Sequence, residues 1–195
     1  VTEKTKALIL VHMDGLVADI AETVKLCSEK KLILIEDVAQ AAGASFQNKK
    51  LGTYGDFGCF SFNENKNISC GEGGALITSN SLFYERAFCY HDTPVQFSPS
   101  KKDFFKEITL FIGASMRVSE IQGAIMRVQL SRLDLILQKL RERKDILIQR
   151  LAENPRIKVI RGYSHEGECA SSIHLLFADP IEASEIGKKL RGDGL

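Results

Sequence analysis

Short apolar runs alternate with helical periodicity along the first third of the chain. Ala7 to Val11 (ALILV) is a continuous apolar run, the pattern of a strand buried on both faces. Leu16, Ile20, Val24 and Cys27 then recur at steps of four, four and three, which is one face of a helix. Leu32 to Ile35 (LILI) reads as a second buried strand. Strand, helix and strand within about thirty residues form a βαβ unit and imply a parallel sheet. Phe57 to Phe62 (FGCFSF) is a third strand, Ala75 to Thr78 a short fourth, and Ser81 the N-cap expected for the helix that follows.

The second half is more helical. Residues 92–114 hold Pro94, Pro99 and Gly113 and are expected to form a long surface loop. Apolar residues at Val118, Ile121, Ile125 and Val128 predict a helix with that face inward, and Leu133 to about Leu151 predicts a second helix. Arg156 to Ile160 and His174 to Phe177 read as strands, and Pro180 is a favoured first residue for a final helix. The pattern is α/β. A mostly parallel-sheet large domain is expected over 1–130, and 131–195 is expected to hold a linking helix and the start of a smaller α+β C-terminal domain.

Composition narrows the class. Hydrophobic residues make up 44% and charged residues 26%, the balance of a globular chain. Lys plus Arg is 26 and Asp plus Glu is 25, so no basic excess points to nucleic acid. No apolar run approaches membrane-spanning length. The five cysteines (Cys27, Cys59, Cys70, Cys89 and Cys169) are scattered and show no CxxC spacing. That argues against a disulfide framework or a zinc site, predicts no metal, and fits a reducing cytoplasm. The chain starts on Val1 almost at a strand and stops just past a helical pattern, so a longer protein cut at both ends is expected.

Polar residues cluster where the strands end. Glu36 and Asp37 close the second strand, and open α/β sheets bind ligands beyond the carboxyl ends of their strands. A carboxylate there can hold a protonated ring nitrogen of a cofactor, or cap a following helix. Gln40 lies one turn on, either facing the same pocket or solvated. Ser61 alternates with Phe60 and Phe62, so its hydroxyl points to the opposite face, where it either binds phosphate or simply packs. Lys66 follows that strand; its amine attacks an aldehyde only when deprotonated, and most loop lysines are merely solvated. The Gly71-Glu72-Gly73-Gly74 cluster is an anion nest or, as the default, a turn.

Taken together, these stretches resemble one family. Glu36-Asp37-Val38-Ala39-Gln40-Ala41, Gly52-Thr53-Tyr54-Gly55-Asp56, Cys59-Phe60-Ser61-Phe62, Lys66-Asn67-Ile68 and Gly71-Glu72-Gly73-Gly74 occur in the order and spacing of the DegT/StrS-type sugar aminotransferases. Arg117-Val118-Ser119-Glu120-Ile121-Gln122 and His174-Leu175 resemble later motifs of the same family. The resemblance implies an aspartate-aminotransferase-like fold and pyridoxal 5'-phosphate (PLP) as cofactor. It implies that Lys66 carries the cofactor as a Schiff base, that Asp37 pairs with the pyridine nitrogen, that Gln40 lies near the ring oxygen, and that Ser61 binds phosphate. It implies amino transfer from glutamate or glutamine to a keto sugar, nucleotide-linked for preference, or to a keto-cyclitol, in a homodimer with shared sites.

Two departures qualify this. Ser115 stands where the family has an Asn, two residues before Arg117, that reaches the partner subunit's cofactor phosphate. The family's N-terminal segment, a source of phosphate contacts and an aromatic ring over the cofactor, is absent from this sequence, so the chain alone is expected to be incompetent. A branch of the family that dehydrates its substrate has His in place of the lysine, and Lys66 argues against that branch. The rival reading is a noncatalytic or regulatory relative that binds a partner. A dinucleotide-binding domain is disfavoured by the lack of GxGxxG after the first strand.

Overall fold

A computed structural model of the chain describes residues 1–92 and 108–194. The irregular stretch expected over 92–114 therefore lies mostly outside the described residues. Strands β1 (Ala7–Val11), β2 (Ile33–Asp37), β5 (Phe57–Ser61) and β6 (Gly74–Ile77) form one sheet in that order, and β3 (Ser45–Phe46) and β4 (Lys49–Lys50) form a small hairpin. β1, β2 and β5 run parallel, while β6 returns antiparallel to β5. Helix α1 (Ile20–Lys30) makes the β1–β2 crossover and starts at Asp19, whose carboxylate accepts the Glu22 amide. Leu16, expected on its apolar face, precedes the helix.

β1 is half-buried on one face and open on the other, and β2 is buried on one face and half-buried on the other, contrary to the expectation that both faces would be buried. Leu8, Leu10, Leu32 and Leu34 pack on Ile20 and Cys27 of α1. On the opposite face Ile9 is 63% exposed, and Val11 and Leu76 are also open. Helix α2 (Ser81–His91) meets that face at Phe57, whose ring stacks on Phe83 at 4.8 Å. Its N-cap is Asn80, not Ser81, because the Asn80 carboxamide accepts the Phe83 amide.

The two helices expected after Val118 are one: α3 runs unbroken over Glu120–Leu151. Ser119 and Gln122 close a capping box at its start. Ser131, between the two expected helices, turns its hydroxyl back onto the Val128 carbonyl and stays within the helix. The inward face is also different. Met126, Leu137, Lys144 and Ile148 are buried, whereas Ile121 is 74% exposed, with Val118, Ile125 and Val128 open beside it. Leu137 enters a core with Val17, Val38, Ala41, Leu51 and Cys169 that joins the sheet side to the C-terminal part. Each such burial contributes about 1.5–3 kcal/mol.

The chain ends in strands β7 (Lys158–Ile160) and β8 (His174–Leu176), an antiparallel pair, and helix α4 (Pro180–Gly192). Pro180 stands in the first turn of α4, as expected, after an Asp179 cap. Among the described residues no helix is long and apolar enough to cross a membrane.

Candidate active site

The parallel register sets the first part of the site. Asp37 is the last residue of β2 and pairs with Cys59 of β5. Alternation puts Asp37, Cys59 and Ser61 on one sheet face, at the carboxyl ends of both strands. Burial and the neighbouring Asp37 carboxylate push the Cys59 thiol above its ordinary pKa, so it stays protonated. Asp37 Oδ1 accepts the Ala39 amide at 3.0 Å, a turn contact in place of the helix cap weighed above. Ser61 Oγ receives the Asn63 amide at a long 3.4 Å.

Lys66 sits in the loop that joins β5 to β6. Its amide donates to the Asn63 carbonyl at 3.1 Å, and Asn63 Oδ1 accepts the Asn65 amide at 3.0 Å. After Lys66, Asn67 Nδ2 donates to the Ala42 carbonyl at 2.8 Å, and Ile68 is buried in a cluster with Ala42, Cys70 and Met126. The loop is thus pinned on both sides of the lysine. Lys66 itself is half-buried and lines a cavity of about 180 Å³ with Asp14, Gln40, Asn65, Asn67, Ser171 and Ser172.

Gln40 shares this cavity and is held by its own oxygen: Oε1 accepts the Asp14 amide at 2.8 Å. Asp37 and Ser61 do not line the cavity. Cys169 lies behind it, and burial pushes its thiol up to about 11, so it is no thiolate nucleophile.

Glu36, the neighbour of Asp37, points to the opposite, fully buried face. It accepts the amides of Gly52, Tyr54 and Gly55 at 2.6–2.7 Å. Burial would raise its pKa, but the nearby His12 ring and the hydrogen bonds from these three amides outweigh it and hold the carboxyl below its ordinary value. Glu36 therefore anchors the loop beside the site. Gly58 permits this close packing, because a Cβ there would collide with the Gly52 carbonyl oxygen and lie 2.7 Å from its Cα.

The remaining candidates fall elsewhere. Gly71 adopts φ +87° in the β5–β6 turn, the default reading of the glycine cluster. Glu72, Gly73 and Gly74 line a separate cavity of about 530 Å³ with Tyr90, Met116 and Arg117. Arg117 precedes α3 and pairs with Asp92 at 3.6 Å, not with Glu120, and Ser115 is exposed. Asp14, Asn65, Asn67, Ser171 and Ser172 were missed as site residues. Asp14 follows the end of β1, so the strand-end rule that marked Asp37 also marks Asp14.

The sequence profile of the DegT/DnrJ/EryC1/StrS aminotransferase family matches residues 1–189. GDP-perosamine synthase of Escherichia coli O157:H7 is 36% identical over 146 residues, which cover 75% of this chain and 38% of that protein. L-glutamine:2-deoxy-scyllo-inosose aminotransferase of Streptomyces kanamyceticus is 36% identical over 141 residues, 69% of this chain and 32% of that one. The chain thus spans about a third to two fifths of the length of these relatives. The Helicobacter pylori aminotransferase PseC, involved in the biosynthesis of pseudoaminic acid, superposes with a TM-score of 0.80 at 27% identity, covering 95% of this chain and 49% of that structure. E. coli GDP-4-keto-6-deoxy-D-mannose-3-dehydratase with bound hydrated PLP superposes over the whole chain and 53% of that structure, at a TM-score of 0.86 and 23% identity, which speaks for the fold. The chain belongs to the DegT/DnrJ/EryC1/StrS aminotransferase family.

Proposed function

We propose that the protein containing this chain is a PLP-dependent aminotransferase that moves an amino group from glutamate or glutamine to a keto sugar, with a nucleotide-linked sugar as the preferred acceptor. The observation that carries this reading is Lys66 in a polar cavity shared with Gln40 and Asp14, together with Asp37 and Ser61 on one sheet face at the carboxyl ends of two parallel strands. The donor set fits the cofactor: an amine for its aldehyde, a carboxylate for its ring nitrogen and a hydroxyl for its phosphate.

When bound, PLP supplies an electron-poor ring that accepts charge from the substrate carbon. Lys66 Nζ would hold the cofactor through its aldehyde and, as a free amine, would carry the proton removed from the donor carbon. Asp37 would keep the proton on the ring nitrogen. Ser61 would donate to the phosphate, and Gln40, its oxygen engaged by the Asp14 amide, would keep Nε2 free to donate to the ring oxygen. The hydroxyl and carboxamide lining of Asn65, Asn67, Ser171 and Ser172 suits a polyhydroxylated acceptor. The relatives' names support this class: a perosamine synthase and an inosose aminotransferase.

The protein is further read as a homodimer. Ile112, Met116, Val118, Ile121 and Ile125 are exposed around Ser115 and Arg117, an apolar patch suited to a partner subunit. The division between a large domain (1–130) and a C-terminal part (131–195) falls within α3, which then links the two.

Adding PLP to the whole protein should give the visible absorbance of lysine-bound cofactor, and glutamate or glutamine should bleach it. A protein that takes up PLP without this band, or whose band ignores both donors, contradicts the reading and favours a noncatalytic relative.

A further inference from the structure

Asp14 is the meeting point of three segments. It lies in a 3-10 turn, Met13–Gly15, directly after β1, with φ 54°, and Gly15 follows at φ 79°. Its amide donates to Gln40 Oε1 at 2.8 Å. Its carbonyl accepts the hydroxyls of Ser172 at 2.6 Å and Ser171 at 3.3 Å. Its carboxylate Oδ2 lies 2.8 Å from His174 Nε2, at the first residue of β8. Every polar group of this one residue except Oδ1 is therefore engaged, and four of the residues involved (Asp14, Gln40, Ser171 and Ser172) line the Lys66 cavity.

The approach of the C-terminal segment is close and specific. The Cys169 amide donates to the Gly15 carbonyl at 2.9 Å. A Cβ on Gly15 would meet Ser171 Oγ at 2.5 Å and Cys169 Cβ at 3.0 Å, so glycine is required for this contact. These backbone bonds hold the segment without help from the carboxylate. The Asp14–His174 pair thus has a narrower effect. It fixes the orientation of the turn that carries the Gln40 contact, and it fixes the start of β8 against the cavity wall.

We propose that Asp14 and His174 form a latch between the β7–β8 sheet and the Lys66 cavity, and that Asp14 is a positioning residue for the amino-transfer chemistry. The proposal rests on the reading of Lys66 as the cofactor lysine. Asp14 acts through Gln40, whose carboxamide it orients, and through the wall formed by Ser171 and Ser172. With the latch intact, Gln40 Nε2 and Lys66 face a cavity of fixed shape. With it broken, the same groups remain but sample several positions, and turnover falls while cofactor stays attached.

The test uses the whole protein as wild type, Asp14→Asn, His174→Ala, His174→Gln and the double variant Asp14→Asn/His174→Ala. Asn keeps the left-handed backbone and one acceptor while removing the charge. Gln keeps a donor. Amide hydrogen exchange of peptides covering residues 12–16 and 170–176 reads the latch, and kcat and KM read its consequence. Borohydride labelling reads the lysine. The expected result is faster exchange in both peptides for His174→Ala and a kcat lowered about tenfold, the scale of one charge-assisted hydrogen bond. Donor KM should change less than kcat, His174→Gln should recover most of the loss, and the double variant should be no worse than the poorer single one. Unchanged exchange at residues 12–16 in His174→Ala overturns the latch. Coupled exchange with unaltered kcat overturns the positioning role. Pyridoxyl label on a lysine other than Lys66 overturns that role too, and locates the failure in the underlying reading while the exchange data stand.

Discussion

Glu36 Oε2 lies 3.5 Å from His12 Nε2, with both side chains fully buried. His12 Nδ1 accepts the Ala18 amide at 3.2 Å, which places the ring proton on Nε2, facing Glu36. A carboxylate that would otherwise be costly to bury thus receives three backbone donors and faces the imidazole beside it.

Glu36→Gln is expected to destabilise the whole protein by about 2–4 kcal/mol, because an amide offers one oxygen where the carboxylate uses two. The pH dependence has a definite sign. The folded carboxyl titrates below its ordinary value. Its contribution is therefore complete above the unfolded value of about 4.3 and is lost as pH falls through the lower folded pKa. Urea denaturation at pH 7 and in the acid range, on wild type and variant, checks this. The gap between the two proteins should shrink in acid.

Gly58→Ala is expected to lower stability by about 1–3 kcal/mol, since its new methyl group would collide with the Gly52 backbone. The same push displaces the loop that Glu36 holds. Thermal melting reads the stability, and proteolysis between residues 52 and 55 should become faster.

Lys144 Nζ lies 2.7 Å from Glu168 Oε1, with both side chains buried. Arg141 Nε also donates to the Glu168 carbonyl at 2.9 Å, so α3 holds the segment that leads to Ser171. Lys144→Met leaves a buried carboxylate without its cation and is expected to cost about 3–5 kcal/mol. Adding Glu168→Leu should recover most of that loss. Denaturation of the single and double variants checks both statements.

The dimer reading predicts shared sites. Variants Lys66→Ala and Arg117→Ala, inactive alone, should regain part of the activity when mixed, because one site of each hybrid dimer carries neither defect. Mass-verified hybrids without activity would assign Arg117 to its own subunit, where it already pairs with Asp92.

The sheet was legible because its strands are short apolar runs with polar residues at their carboxyl ends. The placement of Asp37, Ser61 and Lys66 at or just past a strand end was readable for the same reason. Two features were not legible. The inward face of α3 follows Met126, Leu137 and Ile148, yet Ile121 and Ile125 are as apolar as these, so periodicity alone selects neither side. The Asp14–His174 contact spans 160 positions and depends on how the C-terminal segment folds back, which no local pattern encodes.

The identity of the cofactor lysine is the most direct measure of the account. Borohydride reduction of the whole protein loaded with PLP, followed by peptide mapping, should place the pyridoxyl group on Lys66, and Lys66→Ala should abolish labelling while retaining the fold. Label on another lysine, or undiminished labelling of Lys66→Ala, would contradict it.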